Sequence, residues 1–484
     1  MNNTGKQLMT NWRWWMVVLL FVATTVNYMD RQVLSLTWKD YIAPEFHWTD
    51  SDYGTITGFF SIFYAVVGLF AGRFVDWMGT KKGFLWAIGV WSLGACLHAA
   101  CGWATMMIEG VESVEALKAI EAGSTAALAV ASVSVWLFLA CRAVLALGEA
   151  GNFPAAIKTT AEYFPKKDRA LATSLFNAGS SVGALAAPLS VPTLASKFGW
   201  EMAFIIIGAL GFIWMFFWIY MYDKPYASKH VNKAELEYIN QDEATEKEEE
   251  KNVSIKEEKA IPFLKCFSYK QTWSFIAGKF FTDGVWWFYL FWAPAYFSEM
   301  GKSMQTTEGK MLVFVLYLIV TVVSIFGGYL PKYFVEKKAM EPYAGRMRAM
   351  LIFAFVPLLA LFAQPLQDYS IWFPAIIIGL AGAGHQAWSA NIYSTTGDMF
   401  PKSTIATITG IGTMAGGIGS YLINMGAGRL FDYAAAQGEA FTFFGFEGKP
   451  AGYMIIFCIC AVAYILAWSI MKTLVPKHKP IIVN

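Results

Sequence analysis

Four ionisable side chains sit inside long apolar runs, where a charge persists only if it is paired, hydrated or useful. NYMDRQVLS places Asp30 and Arg31 side by side, and CRAVLALGEAGNFPAA places Arg142 and Glu149 seven residues apart. Adjacent helical positions do not face each other, so Asp30 and Arg31 need partners on another helix or in a wet cavity. Seven residues is about two turns, ~10 Å along one helix face, so Arg142 and Glu149 look into one cavity. An Arg at that depth is a permanent cation whose planar fork suits a carboxylate. A Glu there can take up and release a proton near neutral pH, because desolvation penalises its charged form, or it can serve as the counter-charge of an Arg. The two roles are compatible: a carboxylate that frees its Arg on protonation is a switch. Asp30 and Arg31 could instead mark a helix end, with Tyr28 beside them and a polar stretch from Lys39. The apolar Val33, Leu34 and Leu36 that follow favour depth.

A second set lies later in the chain. In GKFFTDGVWWFYLFW, Lys279 and Asp283 are spaced i,i+4, which reads as a local, structural ion pair. GLAGAGHQAWSANIYSTTGDMF carries His385, Gln386, Ser389 and Asn391 among small residues, a polar cluster able to line a cavity and give hydrogen bonds to hydroxyls. His385 alone reads almost equally well as a packing histidine. Gly412 and Gly416, one turn apart, allow close helix approach.

The elements that must position these residues are apolar helices. The 484 residues are 56% hydrophobic and 15% charged, with a mean hydropathy of +0.44, too apolar for a soluble chain of this length. Spans of about 20 apolar residues fall near 13–36, 53–76, 83–104, 125–149, 170–192, 200–222, 272–298, 311–334, 349–364, 370–395, 404–430 and 451–474. The predicted fold is an all-α membrane protein of twelve helices in two bundles of six, residues 1–222 and 271–484, joined by a linker over 223–270. The linker's Glu-rich run EATEKEEEKNVSIKEEKA reads as a solvated, mobile tether. Loops carrying Arg73, Lys81 and Lys82, then Lys166, Lys167 and Arg169, then Lys332, Lys337, Lys338, Arg346 and Arg348 fall on one side. The loop over 109–121 holds four Glu and one Lys on the other, so both termini and the linker are expected in the cytoplasm. The first residues show no signal-peptide cleavage pattern. Six cysteines, Cys96, Cys101, Cys141, Cys266, Cys458 and Cys460, suggest neither a disulfide framework nor a metal site, and no cofactor is called for.

Beyond the second span, GLFAGRFVDWMGTKKGF sets out Gly72, Asp76, Gly79, Lys81 and Lys82 as Gly-x-x-x-Asp-x-x-Gly-x-Lys-Lys. This resembles the loop motif of the major facilitator superfamily, in residue types and in position; there it works as a cytoplasmic gate latch. NYMDR, the pattern from Arg142 to Pro154, FNAGSSVGALAAP from Phe176 to Pro188, and GAGHQAWSAN from Gly382 to Asn391 resemble the anion:cation symporters, above all the hexuronate transporters. The resemblance spans nearly the whole chain and implies import of sugar acids such as galacturonate or glucuronate with protons, through the bacterial inner membrane, by a monomer that meets lipid and no nucleic acid. It implies that Asp30 and Glu149 couple protons, that Arg31 contacts substrate or a carboxylate, that Arg142 engages Glu149 or the substrate, and that Tyr28 and Tyr64 line the pocket. Ser180 departs from the pattern, standing where the galactonate type has a Gln. In the second half, GGYLPKYF keeps little of the latch motif.

Two other readings stay open. An organic-phosphate or other organic-anion antiporter of this fold would use paired arginines and need no titrating carboxylate. A nutrient sensor would bind without transporting. An embedded enzyme is not expected, because His47, His98, His230, His385 and His478 are scattered and form no catalytic cluster.

Overall fold

In the computed structural model, residues 8–241, 261–401, 404–477 and 481 are described. Helices α1 (Trp12–Thr37), α2 (Asp50–Met78), α3 (Thr80–His98), α4 (Thr125–Glu149), α5 (Lys166–Phe198) and α6 (Trp200–Met221) make the first half. The second half contains α7 (Lys270–Glu299), α8 (Thr307–Ser324, continued by Phe326–Lys338), α9 (Pro342–Phe355, continued to Leu366), α10 (Trp372–Met399), α11 (Ile405–Gln437) and α12 (Gly448–Leu474). The predicted spans match these helices closely, though most helices run a few residues past them. Helix α4 is followed after Ala150 and Gly151 by Asn152–Tyr163, so Arg142 and Glu149 lie well inside the span rather than at its end. A two-residue antiparallel pairing, β1 (Thr442–Phe443) with β2 (Phe446–Glu447), interrupts the all-helical pattern between α11 and α12.

Seven helices are long and apolar enough to cross a membrane, and α3 with Cys101–Glu109, bent by 49°, makes an eighth. The long helices that fall short, α1, α7, α10 and α11, complete the twelve among the described residues. Their shortfall has a cause: they carry Asp30 and Arg31, Lys279, His385 and Asn391, or Ser420 and Asn424, all buried. Polar side chains are tolerated in a spanning helix when they face the bundle interior. Lipid-facing positions elsewhere are apolar, as at Phe70, Trp86, Trp136 and Phe216.

Helix α1 packs along α5, and α7 packs along α11; across the halves, α2 meets α11 and α5 meets α8. Helices α2 and α11 touch at one end and splay at the other. A Cβ added at Gly54 would meet the Asn424 carbonyl at 2.6 Å, one at Gly58 would meet Tyr421 at 3.3 Å, one at Gly68 would meet Thr413 at 3.8 Å, and one at Gly72 would meet nothing within 4 Å.

The touching end lies opposite the basic loops and is dense with contacts between halves. Tyr53 donates to the Phe291 carbonyl at 2.8 Å and stacks on Trp38 at 4.0 Å, with Trp292 edge-on to both. The Asp432 carboxylate accepts the backbone N–H groups of Asp50 and Ser51 at 3.0 and 2.7 Å, which caps α2 from the other half. Lys39 and Lys449 both bridge Asp50 and Glu299. Burial works against the Lys39 charge, but Asp50 and Glu299 outweigh it and raise its pKa above the usual lysine range. At the basic-loop end, Lys158 pairs with Asp76, Lys81 with Asp223 and Arg346 with Asp398, each pair within one half.

Part of the linker expected over 223–270 is docked. Glu235, in the short helix Lys233–Ile239, is fully buried; it accepts from the backbone of Trp12 and Arg13, from the Arg13 guanidinium at 3.1 Å and from Thr10. The Glu-rich run lies outside the described residues. Cys101 and Cys141, unremarkable in sequence, have their sulfurs 3.7 Å apart.

Candidate functional site

Helix α1 brings Tyr28 and Arg31 to the space between the halves, because they are one turn apart. The Arg31 guanidinium gives two hydrogen bonds to one oxygen of Glu149 on α4, from Nε at 3.1 Å and Nη2 at 2.9 Å. Three rings surround it, with centroids at 5.3 Å for Tyr28, 4.7 Å for Tyr64 and 5.1 Å for Trp287. Such an aromatic cage holds a cation through ring faces and shields the pair from water. Trp287 belongs to the second half, so the cage closes across the cleft.

Arg142 is 3% exposed and sits over Phe60 at 5.2 Å, with one Nη lacking a hydrogen-bond partner. It lies within electrostatic reach of Glu149, Arg31 and Asp30, so the four charges share one neighbourhood. The spacing within α4 put Arg142 and Glu149 in one cavity, and the resemblance implied that Arg142 engages Glu149 or the substrate and that Arg31 contacts substrate or a carboxylate; the hydrogen bonds of Glu149 go to Arg31. Two turns of one helix keep their tips too far apart for a bond, whereas α1 packed against the other elements brings Arg31 alongside.

Asp30 is 2% exposed, and neither carboxylate oxygen finds a hydrogen-bond partner within bonding geometry. Glu149 and Arg142 are its electrostatic neighbours, and the Trp91 indole on α3 lies beside it. Asn27 and Asn152, both fully buried, and the second oxygen of Glu149 are also without partners. Buried polar atoms are ordinarily satisfied, which sets this group apart from the packed core around it.

Ser180 is half-buried on α5 and donates to the Asn177 carbonyl at 2.7 Å. Next to it, Gly179 and Gly183 let α5 lie against α1: a Cβ at Gly183 would meet the Thr25 carbonyl at 2.4 Å and Tyr28 at 2.9 Å. The α10 cluster divides. His385 is buried, shares a 2.8 Å hydrogen bond with Tyr464 and stacks on Trp286. Asn391 donates to the carbonyls of Gly327 and Ala387, tying α10 to α8. Both are packing contacts within the second half and are not brought to Arg31. Gln386 and Ser389 are half-buried on the same helix.

Lys279 and Asp283 form the expected pair at 2.7 Å, and Lys279 also donates to Tyr393 on α10 at 2.9 Å. In the loop motif, Asp76 pairs with Lys158 at 2.7 Å and Lys81 with Asp223 at 2.8 Å, while Lys82 is exposed. Gly79 turns the chain at φ +78°, where a side chain would be strained, and Gly72 faces open space.

Trp287, Trp91 and Tyr393 escaped the sequence reading. Trp287 stands in the run WWFYLFW, where one-dimensional order does not say which ring faces inward. The signal available was the i+4 series 279, 283, 287 on α7, which lays a charged pair and a Trp along one face.

A model of the Major Facilitator Superfamily matches residues 20–423. Over 426 residues the chain is 28% identical to the hexuronate transporter of Escherichia coli K12, covering 87% of this chain and 88% of that one. It is 27% identical over 323 residues to the galacturonate transporter of Dickeya chrysanthemi, covering 66% and 82%. The crystal structure of the D-xylose-proton symporter superposes with a TM-score of 0.66 at 15% identity, over 96% of this chain and 99% of that one. That likeness concerns the fold.

Proposed function

The chain belongs to the major facilitator superfamily, a membrane transporter rather than an enzyme, and on that premise we propose that it carries a hexuronate such as galacturonate or glucuronate together with a proton. The observation that carries the reading is Arg31, a caged cation at the cleft between the halves, held by a carboxylate that protonation would detach. Two relatives named for hexuronate and galacturonate agree with a sugar acid as cargo.

Protonated Glu149 loses most of its hold on Arg31, because a charge-assisted bond becomes a neutral one. Arg31 then offers its fork to the substrate carboxylate. Tyr28, Tyr64 and Ser180 supply hydroxyls for the sugar, with Gln386 and Ser389 the second half's candidates for the remaining hydrogen bonds. Arg142 keeps the chamber from becoming net negative beside the anion, and Asp30 is the second carboxyl that exchanges a proton. The splayed end of α2 and α11 faces the cytoplasm by the placement of the basic loops. Both termini lie on that side of the inner membrane, and the halves 1–222 and 271–484 rock about the site, joined by 223–270. One chain holds every residue of the site, so a monomer suffices.

The test is uptake of labelled galacturonate, glucuronate, galactonate and a dicarboxylate into proteoliposomes, with and without an imposed pH gradient. Accumulation that follows the gradient supports the reading. Accumulation that ignores it and requires internal phosphate would replace it with antiport.

A further inference from the structure

The only strands among the described residues are β1 and β2, in the ribbon between α11 and α12 at the end opposite the basic loops. Their register pairs Phe443 with Phe446 and Thr442 with Glu447. Paired residues share a face of a two-stranded ribbon and successive residues alternate between faces. One face is therefore aromatic and half-buried, and the other is polar and exposed.

The turn joining the strands carries an unusual residue. Phe444 (φ +51°) and Gly445 (φ +81°) both lie in the left-handed region, as the two central residues of the tightest hairpin turn do. Gly is at home there, but a bulky ring is strained, and Asn or Asp ordinarily takes its place. Packing inside the protein offsets little of that strain, because Phe444 is 73% exposed and meets Phe443 edge-on at 4.7 Å.

The ribbon continues a surface that meets lipid. On α11, Gly412, Gly416 and Gly419 face α7, whereas Gly417, Tyr421 and Gly428 face α2. Ile418, Leu422 and Tyr433 lie on the face that remains, and all three are exposed. Tyr433 in turn meets Phe441, at the root of the ribbon, edge-on at 5.7 Å. On the α12 side, Glu447 stands ~6 Å of helix before the uncharged apolar run over 451–468. The ribbon thus sits where hydrocarbon gives way to headgroups, the level at which aromatic rings gather in membrane proteins.

We propose that this ribbon is a lipid anchor. Phe443, Phe444 and Phe446 dip into the boundary between headgroups and acyl chains of the leaflet opposite the basic loops, with Thr442 and Glu447 turned to water. Phospholipid is the occupant because the aromatic patch is continuous with the outward stripe of α11. The anchor holds the end of α11 at a fixed depth, and with it Asp432, which caps α2 from across the halves.

The experiment uses the full chain in vesicles of phosphatidylcholine and phosphatidylglycerol, doped with a phosphatidylcholine that carries a photoactivatable diazirine on an acyl carbon near the glycerol. After irradiation and proteolysis, the ribbon peptide should carry lipid adducts about tenfold more often than the loop over 109–121, and within about threefold of the α11 segment around Leu422. Phe444→Asn removes the ring and gives the turn a residue it favours, so in detergent it should melt no lower than the unaltered protein. In vesicles its ribbon adducts should fall about fivefold or more. Ribbon adducts as rare as those on the 109–121 loop, a yield unchanged in Phe444→Asn, or a lower melting temperature of that variant, which would place the ring inside the protein, overturns the proposal. Adducts that form in detergent micelles but not in vesicles would make a second copy of the chain the occupant and overturn it as well.

Discussion

Arg31 gives both of its hydrogen bonds to a single oxygen of Glu149, and the other oxygen of that carboxylate is buried without a partner. A bond of this kind is held by charge more than by shape, since the fork of an Arg ordinarily matches two oxygens. We expect one proton on Glu149 to weaken it, because a charge-assisted bond becomes a neutral one.

Replacing that carboxylate by an amide tests the point. Glu149→Gln should lower pH-driven accumulation of galacturonate by about tenfold or more and leave counterflow exchange within about threefold, because a neutral side chain frees Arg31 permanently but cannot carry a proton. Accumulation equal to that of the unaltered protein in the same vesicles would remove Glu149 from coupling.

Ser61 on α2 and Ser420 on α11 have their hydroxyl oxygens 2.8 Å apart, across the halves. With these two side chains in direct contact, cysteines at both positions are a direct trial of cross-linking the halves. Oxidation of Ser61→Cys/Ser420→Cys should stop uptake and reductant should restore it, with the single variants unaffected. Cys101 and Cys141 are best replaced by serine in that background, since their sulfurs already touch.

Gly428 approaches α2 so closely that an added Cβ would lie 2.3 Å from the Asp50 carbonyl. Gly428→Ala should therefore hold the touching end apart. Labelling of a cysteine at Ser61 by a membrane-impermeant reagent, applied from the side away from the basic loops, should quicken by about tenfold. Unchanged labelling would mean that the halves do not part there.

Glu45, in the connection between α1 and α2, titrates outside the spanning helices. Burial pushes its carboxyl above the usual range, and the Trp200 indole N–H, which donates to it at 3.2 Å, only partly offsets this. The folded protein thus holds this proton more tightly than the unfolded chain, and the stability it contributes is present at low pH and lost as pH rises through the raised value. Glu45→Gln, neutral throughout, should melt ~2 °C higher than the unaltered protein at pH 7.5, with the gap closing near pH 4.5. A gap that is the same at both values would show that charge is not its cause.

Much of this architecture is legible in sequence because lipid demands continuous apolar helices, and α4, α6 and α12 declare themselves by composition alone. Helices α1, α7, α10 and α11 are harder to delimit for the reason that makes them interesting: their inward faces are polar. The candidate site could be read as a set of charges but not as a set of pairs. Asp30, Arg31, Arg142 and Glu149 are conspicuous for their depth, whereas the choice of Arg31 over Arg142 as Glu149's partner depends on how α1 lies against α4. Packing decides that, and one-dimensional spacing does not carry it. His385 and Asn391 show the same limit: their polarity allowed a cavity lining or packing, and spacing alone could not name Tyr464 and the Gly327 carbonyl as their partners inside the second half. Lys233–Ile239 falls in the polar linker expected between the halves, and Glu235 docks it through hydrogen bonds that hydropathy cannot register.

The carboxylate that Asp432 lends to the first turn of α2 has a consequence for how this end can part. The first N–H groups of any helix have no partner within it, and here two of them depend on a residue from the opposite half. Separation strips them, yet they emerge at a membrane surface where water can replace Asp432 at once, so the loss is limited to the ~1 kcal/mol typical of a terminal side-chain cap. Had the same bonds been placed at mid-membrane, hydrocarbon would have left the donors bare at several kcal/mol each, and the halves would have stayed shut.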